Sequence, residues 1–467
     1  MHEIGVYGLG TMGSALALNF AEHGINVVVS NRETDWIAPF LREADGLAGQ
    51  VRGVDTLEEL VQALTPPRSI LFMIPSGAPM DMMLEAVTPL LQGGDTVIDA
   101  GNADFNDTRA RAARLQATGL HFVGMGVSGG EEGARHGPSM MVGGRKEGWT
   151  RIRPLVEAIA ARFNGDPCVA HVGSDGAGHF VKTVHNGIEY ADMQMIAEVY
   201  GLMRDGAGWS AARIGKMFET WSRGPLQSFL IEASATVLAQ DDPETGAAMV
   251  DMIHDSAGQK GTGRWTVIEA LKLGQSANTI EAAVGARGWS SERQSRSEAA
   301  NAFATSGITF ERPSDTQLQN ALLAARIISH AQGFRVLSAA SQDYDWDLDL
   351  ARIAEIWRAG CIIRSALLDD LANALRGGPP NGHLILSPTL AATLRKTVPD
   401  LRQVVLAAFR AGLPAPALSA ALSWFDTMRQ ARGTANLVQA QRDFFGAHGF
   451  ERTDKDGKFH GPWHRGG

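Results

Sequence analysis

Cysteine is nearly absent. Cys168 and Cys361 are the only two in 467 residues, and without a CxxC pair they support neither a disulfide framework nor a thiolate zinc site. No ligand cluster at metal-binding spacing stands out, so no metal is expected. No apolar run approaches the ~20 residues of a bilayer span. The opening "MHEIGVYGLG" runs straight into a strand pattern, without the basic and apolar regions of a secretory leader. A reducing, cytoplasmic location is therefore expected. Positive charge is also short: 42 Lys and Arg against 51 Asp and Glu leave a net charge of −9, which argues against nucleic acid or an anionic membrane as partner. A small anionic ligand stays open, because a few local cations suffice to hold one.

What is present is an ordinary globular composition, 44% apolar and 20% charged, in a chain longer than one core normally serves. Up to about residue 175, short β-rich runs alternate with helical patterns: "IGVY" at 4–7, "NVVVS" at 26–30, "SILFMI" at 69–74, "DTVIDA" at 95–100, "LHFVG" at 120–124 and "SMMVGG" at 139–144. That alternation predicts an α/β domain with a mostly parallel sheet covered on both faces. From about 178 the strand signal fades into long helical periodicity, so the second domain is expected to be all-α. Within it, "AARIGKMFETWSRG" (211–224) resembles "LARIAEIWRAG" (350–360), each following a long helical stretch. A duplicated helical unit would produce that pair. Residues 439–467 are aromatic, polar and glycine-rich, the composition of either a frayed end or an arm that docks on something. The expected division is a Rossmann-like domain over 1–177, an all-helical domain over 178–438 and a tail over 439–467.

The turn after the first strand reads "GLGTMG". Gly8, Gly10 and Gly13, between a strand and an apolar-periodic helix, allow a tight turn, close approach of a pyrophosphate and packing of helix on strand. The helix N-terminus offers free N–H groups to the phosphates. At the end of the second strand, where an acid usually meets the adenosine ribose, the chain reads "SNRET". Asn31 and Arg32 suit a ribose 2′-phosphate and stacking on adenine, which favours NADP. Glu33 beside them could accept from a free 2′-hydroxyl, so NAD is also possible.

A second pattern lies at the start of the helical region, in "HFVKTVHNGIEY" (179–190). Lys182, His185, Asn186 and Glu189 stand at i, i+3, i+4 and i+7, so a helix gathers them onto one stripe. Phe180, Val181, Val184 and Ile188 supply an apolar face that packs the helix. Such a stripe is either a solvated face or the wall of a site, and the rest of the chain favours the wall.

From "GLGTMG" and "NR" through "DAGN" (99–102), "GVSGGEEGARHGPSMM" (126–141), "KTVHNGIEYADMQ" (182–194), "DSAGQKGTGRWT" (255–266) and "QAQRDFFGAH" (439–448) to "FHGPW" (459–463), the chain resembles the decarboxylating 6-phosphogluconate dehydrogenase family of β-hydroxyacid dehydrogenases. The landmarks run in family order over nearly the whole length. The resemblance implies oxidation of 6-phospho-D-gluconate at C3 by NADP, then loss of CO2 to give D-ribulose 5-phosphate. It implies a homodimer whose helical domains have two similar halves and whose tails pass through the neighbouring subunit. Lys182 matches the family's base and Glu189 its acid. Ser128, Gly129 and Gly130 match the loop for the substrate carboxylate, and Asn102, His185 and Asn186 the residues meeting the sugar-acid hydroxyls. Tyr190, Lys260, Thr262 and Arg287, with Arg442 from the partner, match the phosphate site, and His448 matches a tail histidine near substrate. Cofactor contacts are expected from Gly8, Leu9, Gly10, Thr11, Met12, Gly13, Asn31, Arg32, Glu33, Ile74 and Asn102.

Some positions depart from the family pattern. "IPSG" at 74–77, including Pro75, lacks a lysine common there, Gly285 and Gly288 flank Arg287 in place of bulkier residues, and Phe450 replaces a common tyrosine. The two rival readings are a non-decarboxylating β-hydroxyacid dehydrogenase and a catalytically silent NADP-binding protein. Chains of the first kind are shorter and lack the "DSAGQKGTG" block and the Arg-bearing tail. Retention of both Lys182 and Glu189 argues against the second.

Overall fold

The computed structural model describes residues 2–303 and 309–463. The last four residues of the expected tail, 464–467, lie outside the described residues. Eight strands form one sheet: β1 (Ile4–Tyr7), β2 (Val27–Ser30), β3 (Val51–Gly53), β4 (Ser69–Phe72), β5 (Thr96–Asp99), β6 (His121–Ser128), β7 (Ser139–Gly143) and β8 (Val169–Gly173). Their order is β8-β7-β6-β5-β4-β1-β2-β3. Neighbours pair in parallel throughout except β6 with β7, which run antiparallel. All six strand runs read from the sequence form strands. The two that escaped, β3 and β8, are the sheet's edges, where pairing comes from one side only and the apolar signal is weakest. The chain's direction across the sheet reverses between β1 and β4, the kind of switch point at which ligands bind beyond the carboxyl ends of the strands in such sheets.

Among the helices, α1 (Thr11–Glu22), α2 (Phe105–Gln116), α3 (Gly130–His136) and α4 (Lys146–Ile159) belong to the sheet region. The helical region that follows contains α5 (Ala177–Gly201), α6 (Thr262–Lys272), α7 (Asn278–Ser291), α8 (Asp315–Asp343), α9 (Pro388–Arg410), α10 (Pro416–Met428) and α11 (Ala435–Gly446), with shorter helices between them. The architecture is thus a Rossmann-like α/β unit followed by a helical one. The 25-residue α5 begins against the sheet. A Cβ on Gly178 would lie 2.2 Å from the Gly124 carbonyl oxygen on β6, so only glycine lets the helix start this close to the strands.

The repeated sequence pair is a structural pair. Long α5 is followed by the helix Ala211–Trp221, capped by Ser210, and long α8 by Leu350–Ile356, capped by Asp349. Each unit then continues into a ten-residue helix, Phe229–Leu238 and Leu367–Arg376. The units meet where Phe229 N–H donates to Arg364 O (3.1 Å) and Ala366 N–H donates to Gln227 O (3.0 Å). Such reciprocal bonds are what a local two-fold relation between similar halves produces. α5 and α8 pack on each other, and Trp357 is fully buried in the core that they share.

The tail is an ordered unit built on one carboxylate. Asp443 in α11 accepts from the N–H groups of Gly449 (2.8 Å) and Gly461 (2.9 Å), from Trp463 Nε1 (2.9 Å) and from His460 Nδ1 (2.6 Å). These donors hold its carboxyl well below the usual range, led by the Gly461 N–H. A two-residue hairpin, Phe450–Glu451 with Lys458–Phe459, closes against α11.

One buried acid joins the helices. Glu198 in α5, 4% exposed, accepts from the N–H groups of Ala417 (2.8 Å) and Leu418 (2.9 Å) at the start of α10 and from Gln194 (3.1 Å). Burial outweighs these donors and pushes its pKa up to about 7. A carboxyl whose folded pKa is raised stabilises the fold fully below its unfolded pKa, and that stability fades as pH rises through the folded value. The expected loss between pH ~4.5 and 8 is on the order of 3 kcal/mol. Thermal unfolding of Glu198→Gln should therefore depend less on pH over that window than the parent. An unchanged slope would show that Glu198 does not titrate there.

Candidate active site

The cofactor end is assembled at the β1–α1 turn. Gly8 sits at φ +104°, and a Cβ on Gly13 would come within 1.8 Å of the Gly8 carbonyl oxygen, so turn and helix can close only with glycine at both places. Gly10 is the N-cap without a side-chain cap, and the first turn of α1 has no acidic residue. The N–H groups of Thr11, Met12 and Gly13 are therefore directed at whatever anion lies ahead of the helix. A Cβ on Gly10 would meet nothing within 4 Å, which leaves room for a pyrophosphate. Asn31, buried at the end of β2, accepts from Leu9 N–H (2.8 Å) and donates to Glu33 O (3.0 Å), fastening the turn to the strand. Arg32 extends outward and pairs with Glu33 through Nε (2.6 Å), with side chains 82% and 48% exposed. An ion pair this exposed is weak, so Arg32 can exchange Glu33 for a ligand phosphate. Ile74 stands just beyond β4 against Gly8, and Asn102 is exposed beyond β5. These residues fit a dinucleotide.

The polar stripe of α5 lies against β6. Lys182 is 6% exposed, and a Cβ on Gly126 would be 2.3 Å from the Lys182 Cβ; strand and helix touch at the lysine. His185, fully buried, sits with Nε2 3.3 Å from Ser128 Oγ and Nδ1 3.0 Å from Asn186 Oδ1. Asn186 Oδ1 can only accept, which assigns the proton to Nδ1 and leaves Nε2 to accept the Ser128 hydroxyl. Asn186 in turn donates to Thr262 Oγ1 (3.2 Å) at the start of α6. Glu189, one-fifth exposed, approaches His185 Nδ1 at 3.9 Å. Burial and the neighbouring Lys182 hold His185 well below its ordinary pKa, so the ring is neutral and this approach is not an ion pair.

Burial acts on both ends of the stripe, in opposite senses. It lowers the Lys182 ammonium's hold on its proton, opposed by Glu189, and it raises the Glu189 carboxyl, opposed by Lys182 and Arg287. The two therefore approach each other in affinity, each charge opposing the shift of the other. A base and an acid poised in this way are what a proton-shuttling site requires.

A cationic group stands at the far end of the stripe. The Arg287 guanidinium lies 3.4 Å above the Tyr190 ring and donates to Gly258 O (3.2 Å). Gly285 and Gly288 lie within α7 without interrupting it, and stacking on Tyr190 places Arg287 despite them. Lys260 is exposed in the loop before α6, and Thr262 is buried. Ser128, Lys182, His185, Asn186, Glu189, Tyr190, Thr262 and Arg287 are thus brought together, with Gly129 (φ +120°) and Gly130 (φ +64°) in the adjoining turn. Arg442 and His448 stand apart in the tail, where Arg442 bonds Gln439 (3.0 Å) and His448 meets the edge of the Phe445 ring. Phe450 packs on Trp463. Among the described residues no group of three potential metal ligands gathers, and no helix is long and apolar enough to cross a membrane.

Three contributors escaped sequence reading. Trp357 packs edge-on against His185 (5.3 Å), Cys361 donates to the Trp357 carbonyl (3.0 Å), and Thr266 donates to the Thr183 carbonyl (2.8 Å), locking α6 to α5. Thr266 lies in the quoted "DSAGQKGTGRWT" block. Trp357 lies in the quoted repeat "LARIAEIWRAG" and Cys361 follows it directly, but nothing local ties either to a stripe so distant in sequence.

Two family models match the chain: the NAD binding domain of 6-phosphogluconate dehydrogenase over residues 3–173, and the 6-phosphogluconate dehydrogenase C-terminal domain over 178–463. The chain is similar to the decarboxylating 6-phosphogluconate dehydrogenase of Chlamydia pneumoniae, 44% identical over 99% of this chain and 97% of that protein. It is also similar to the NADP(+)-dependent, decarboxylating enzyme of Bacillus subtilis, 43% identical over 99% of both. The solved structure of Plasmodium falciparum 6-phosphogluconate dehydrogenase, described in its apo form, with its cofactor NADP+ and with its substrate 6-phosphogluconate, superposes with a TM-score of 0.95 at 37% identity, covering 99% of this chain and 100% of that one. By these matches, over its sheet and its helices alike, the chain belongs to the 6-phosphogluconate dehydrogenase family.

Proposed function

We propose that the protein catalyses the NADP-dependent oxidative decarboxylation of 6-phospho-D-gluconate to D-ribulose 5-phosphate and CO2. The observation that carries this reading is a 6% exposed lysine and a glutamate on one stripe of α5, with His185 and Asn186 between them, in a chain that also holds a dinucleotide turn. The names of the relatives support it. NADP, when bound, supplies the hydride acceptor for C3 of the substrate. The backbone of Gly8, Leu9, Gly10, Thr11, Met12 and Gly13 holds the pyrophosphate, Asn31 and Arg32 the ribose phosphate, and Ile74 and Asn102 flank the cleft. Glu33 must release Arg32 for that phosphate, and its carboxylate lets the site accept the free 2′-hydroxyl of NAD as well.

Lys182, neutral, takes the proton from the 3-hydroxyl as hydride leaves C3. As an ammonium it then donates to the 3-keto oxygen, so the electrons of the breaking C–CO2 bond pass into an enediol rather than a bare carbanion. Glu189 protonates the carbon that has lost CO2, which becomes C1 of the product. Ser128, Gly129 and Gly130 hold the carboxylate with a hydroxyl and backbone N–H groups. Asn102, His185 and Asn186 orient the hydroxyls. Tyr190, Lys260, Thr262 and Arg287 hold the phosphate, for which a guanidinium offers bidentate geometry.

Arg442 and His448 act in a second copy. α11 and the tail that bear them expose Leu437, Val438 and Phe445, and the main body exposes Met249, Met252, Ile253 and Trp289. Apolar side chains left open on both support burial between subunits. The working assembly is a homodimer in which the tail over 439–467 reaches the neighbouring subunit's site, the Rossmann-like domain spans 1–177, and the helical domain spans 178–438. Two buried free thiols suit the reducing cytoplasm.

Purified protein should reduce NADP with 6-phosphogluconate and release one CO2 per hydride; hydride transfer without CO2 would replace this reading with that of a non-decarboxylating dehydrogenase. Lys182→Met should lower kcat roughly 10²- to 10⁴-fold while retaining substrate binding.

Turnover should follow a bell-shaped pH profile, because the active form holds one proton on the Lys182–Glu189 pair. Two protons silence it at low pH and none at high pH. Glu189→Gln should lose the alkaline limb and keep the acid limb. A variant that keeps both limbs would remove Glu189 from the pair.

Arg442→Ala and Lys182→Met chains, each nearly inactive alone, should recover roughly a quarter of parental activity when randomly paired, since one site in each mixed dimer is whole. No recovery would mean that the tail serves its own subunit.

A further inference from the structure

Arg111 on α2 belongs to none of the groups assigned above. Its side chain is 3% exposed. Nε and NH2 grip the two oxygens of Asp81 (2.8 and 3.0 Å), on the helix that follows the 74–77 loop. NH2 also donates to the carbonyl of Gly77, the last residue of that loop (3.0 Å). On its other side NH1 lies 3.5 Å from Asp99 Oδ2, at the end of β5. Asp99 is buried as well, and its Oδ1 accepts from Gly101 N–H (3.1 Å), the residue before Asn102. One guanidinium therefore spans two loops, those beyond β4 and β5, which carry Ile74 and Asn102. The loops also touch directly, since a Cβ on Gly101 would lie 2.9 Å from the Ile74 carbonyl oxygen.

The same helix reaches the catalytic one. Thr108, one turn before Arg111, meets Nδ1 of buried His179 through its hydroxyl (2.7 Å), and His179 precedes Lys182 by one turn of α5. α2 thus connects the two loops to the stripe, through polar contacts that are directional and buried.

We infer that Arg111 is a positioning residue that sets the spacing of the 74–77 and 99–102 loops, and so aligns the bound nicotinamide cofactor with the substrate helix. The inference rests on the reading of those loops as cofactor-facing. Arginine is required because only a planar fork can bind Asp81 in bidentate fashion and still reach Gly77 and Asp99; a lysine ammonium has the charge without the span. A shift of about 1 Å in the cofactor can cost on the order of 10²-fold in rate.

The test compares Arg111→Met, Arg111→Lys and Asp81→Asn with the parent, each checked for folding by circular dichroism. Asp81→Asn removes the charged bidentate contact while Asp99 stays beside the buried guanidinium as a counter-charge. The readouts are NADP affinity by calorimetry, 6-phosphogluconate affinity without cofactor, kcat/KM for NADP, and the primary isotope effect with substrate deuterated at C3. Arg111→Met should lose roughly 10²-fold and Asp81→Asn about tenfold in kcat/KM for NADP, with weaker NADP binding, a larger isotope effect and unchanged substrate affinity. Arg111→Lys should not restore the parental values. Parental NADP affinity and isotope effect in folded Asp81→Asn and Arg111→Lys would overturn the inference, as would an equal loss of affinity for substrate. If the parent itself fails to turn over 6-phosphogluconate, the proposed reaction falls, while calorimetry with NADP still decides the role of Arg111.

Discussion

Taking a lysine and a glutamate largely out of water on one helix is the constraint on which the proposed chemistry depends. Lys182 and Glu189 share the buried stripe of α5, and desolvation pushes their proton affinities toward each other. In water the lysine would hold its proton and the glutamate would lack one, and neither could serve. The helix can afford that burial because it is packed on both sides: glycines of β6 and of α5's own first turn admit it to the sheet, and α8 covers its far face.

Two sets of linked polar groups tie the helices together in this interior. Ser128, His185, Asn186 and Thr262 form one, running from the end of β6 across α5 to the start of α6. Asp192 and Arg326 form another, a buried ion pair that links α5 to α8 at 3.1 Å. Buried polar groups that lose a partner are costly, so these chains hold the helices in one register. The edge-on contact of Trp357 with His185 adds an apolar wall where a further hydrogen bond would disturb the tautomer.

The tail obeys a different logic. Asp443 gathers four donors and folds the last residues around α11, so the arm has a shape of its own, yet its large apolar side chains stay exposed. Such an element fits the proposed docking on a second subunit.

Much of this was legible in the residues. The strand-glycine-helix turn, the six inner strand runs and the i, i+3, i+4, i+7 stripe are local patterns, and local patterns report the backbone directly. The duplicated Ala-Arg-Ile segments announced two similar helical halves. Edge strands β3 and β8 were not legible, because half their pairing partners are missing and with them half the selection for apolar residues. Nor were Trp357, Cys361 and Arg111, whose roles exist only through neighbours distant in the chain. By itself the sequence determined the dinucleotide turn and the polar stripe and nominated the groups proposed to carry protons and phosphate, since those depend on side-chain chemistry and short-range spacing. Only the tertiary structure decided how strongly each group holds its proton and which loops are tied together, because desolvation and long-range hydrogen bonds arise from packing.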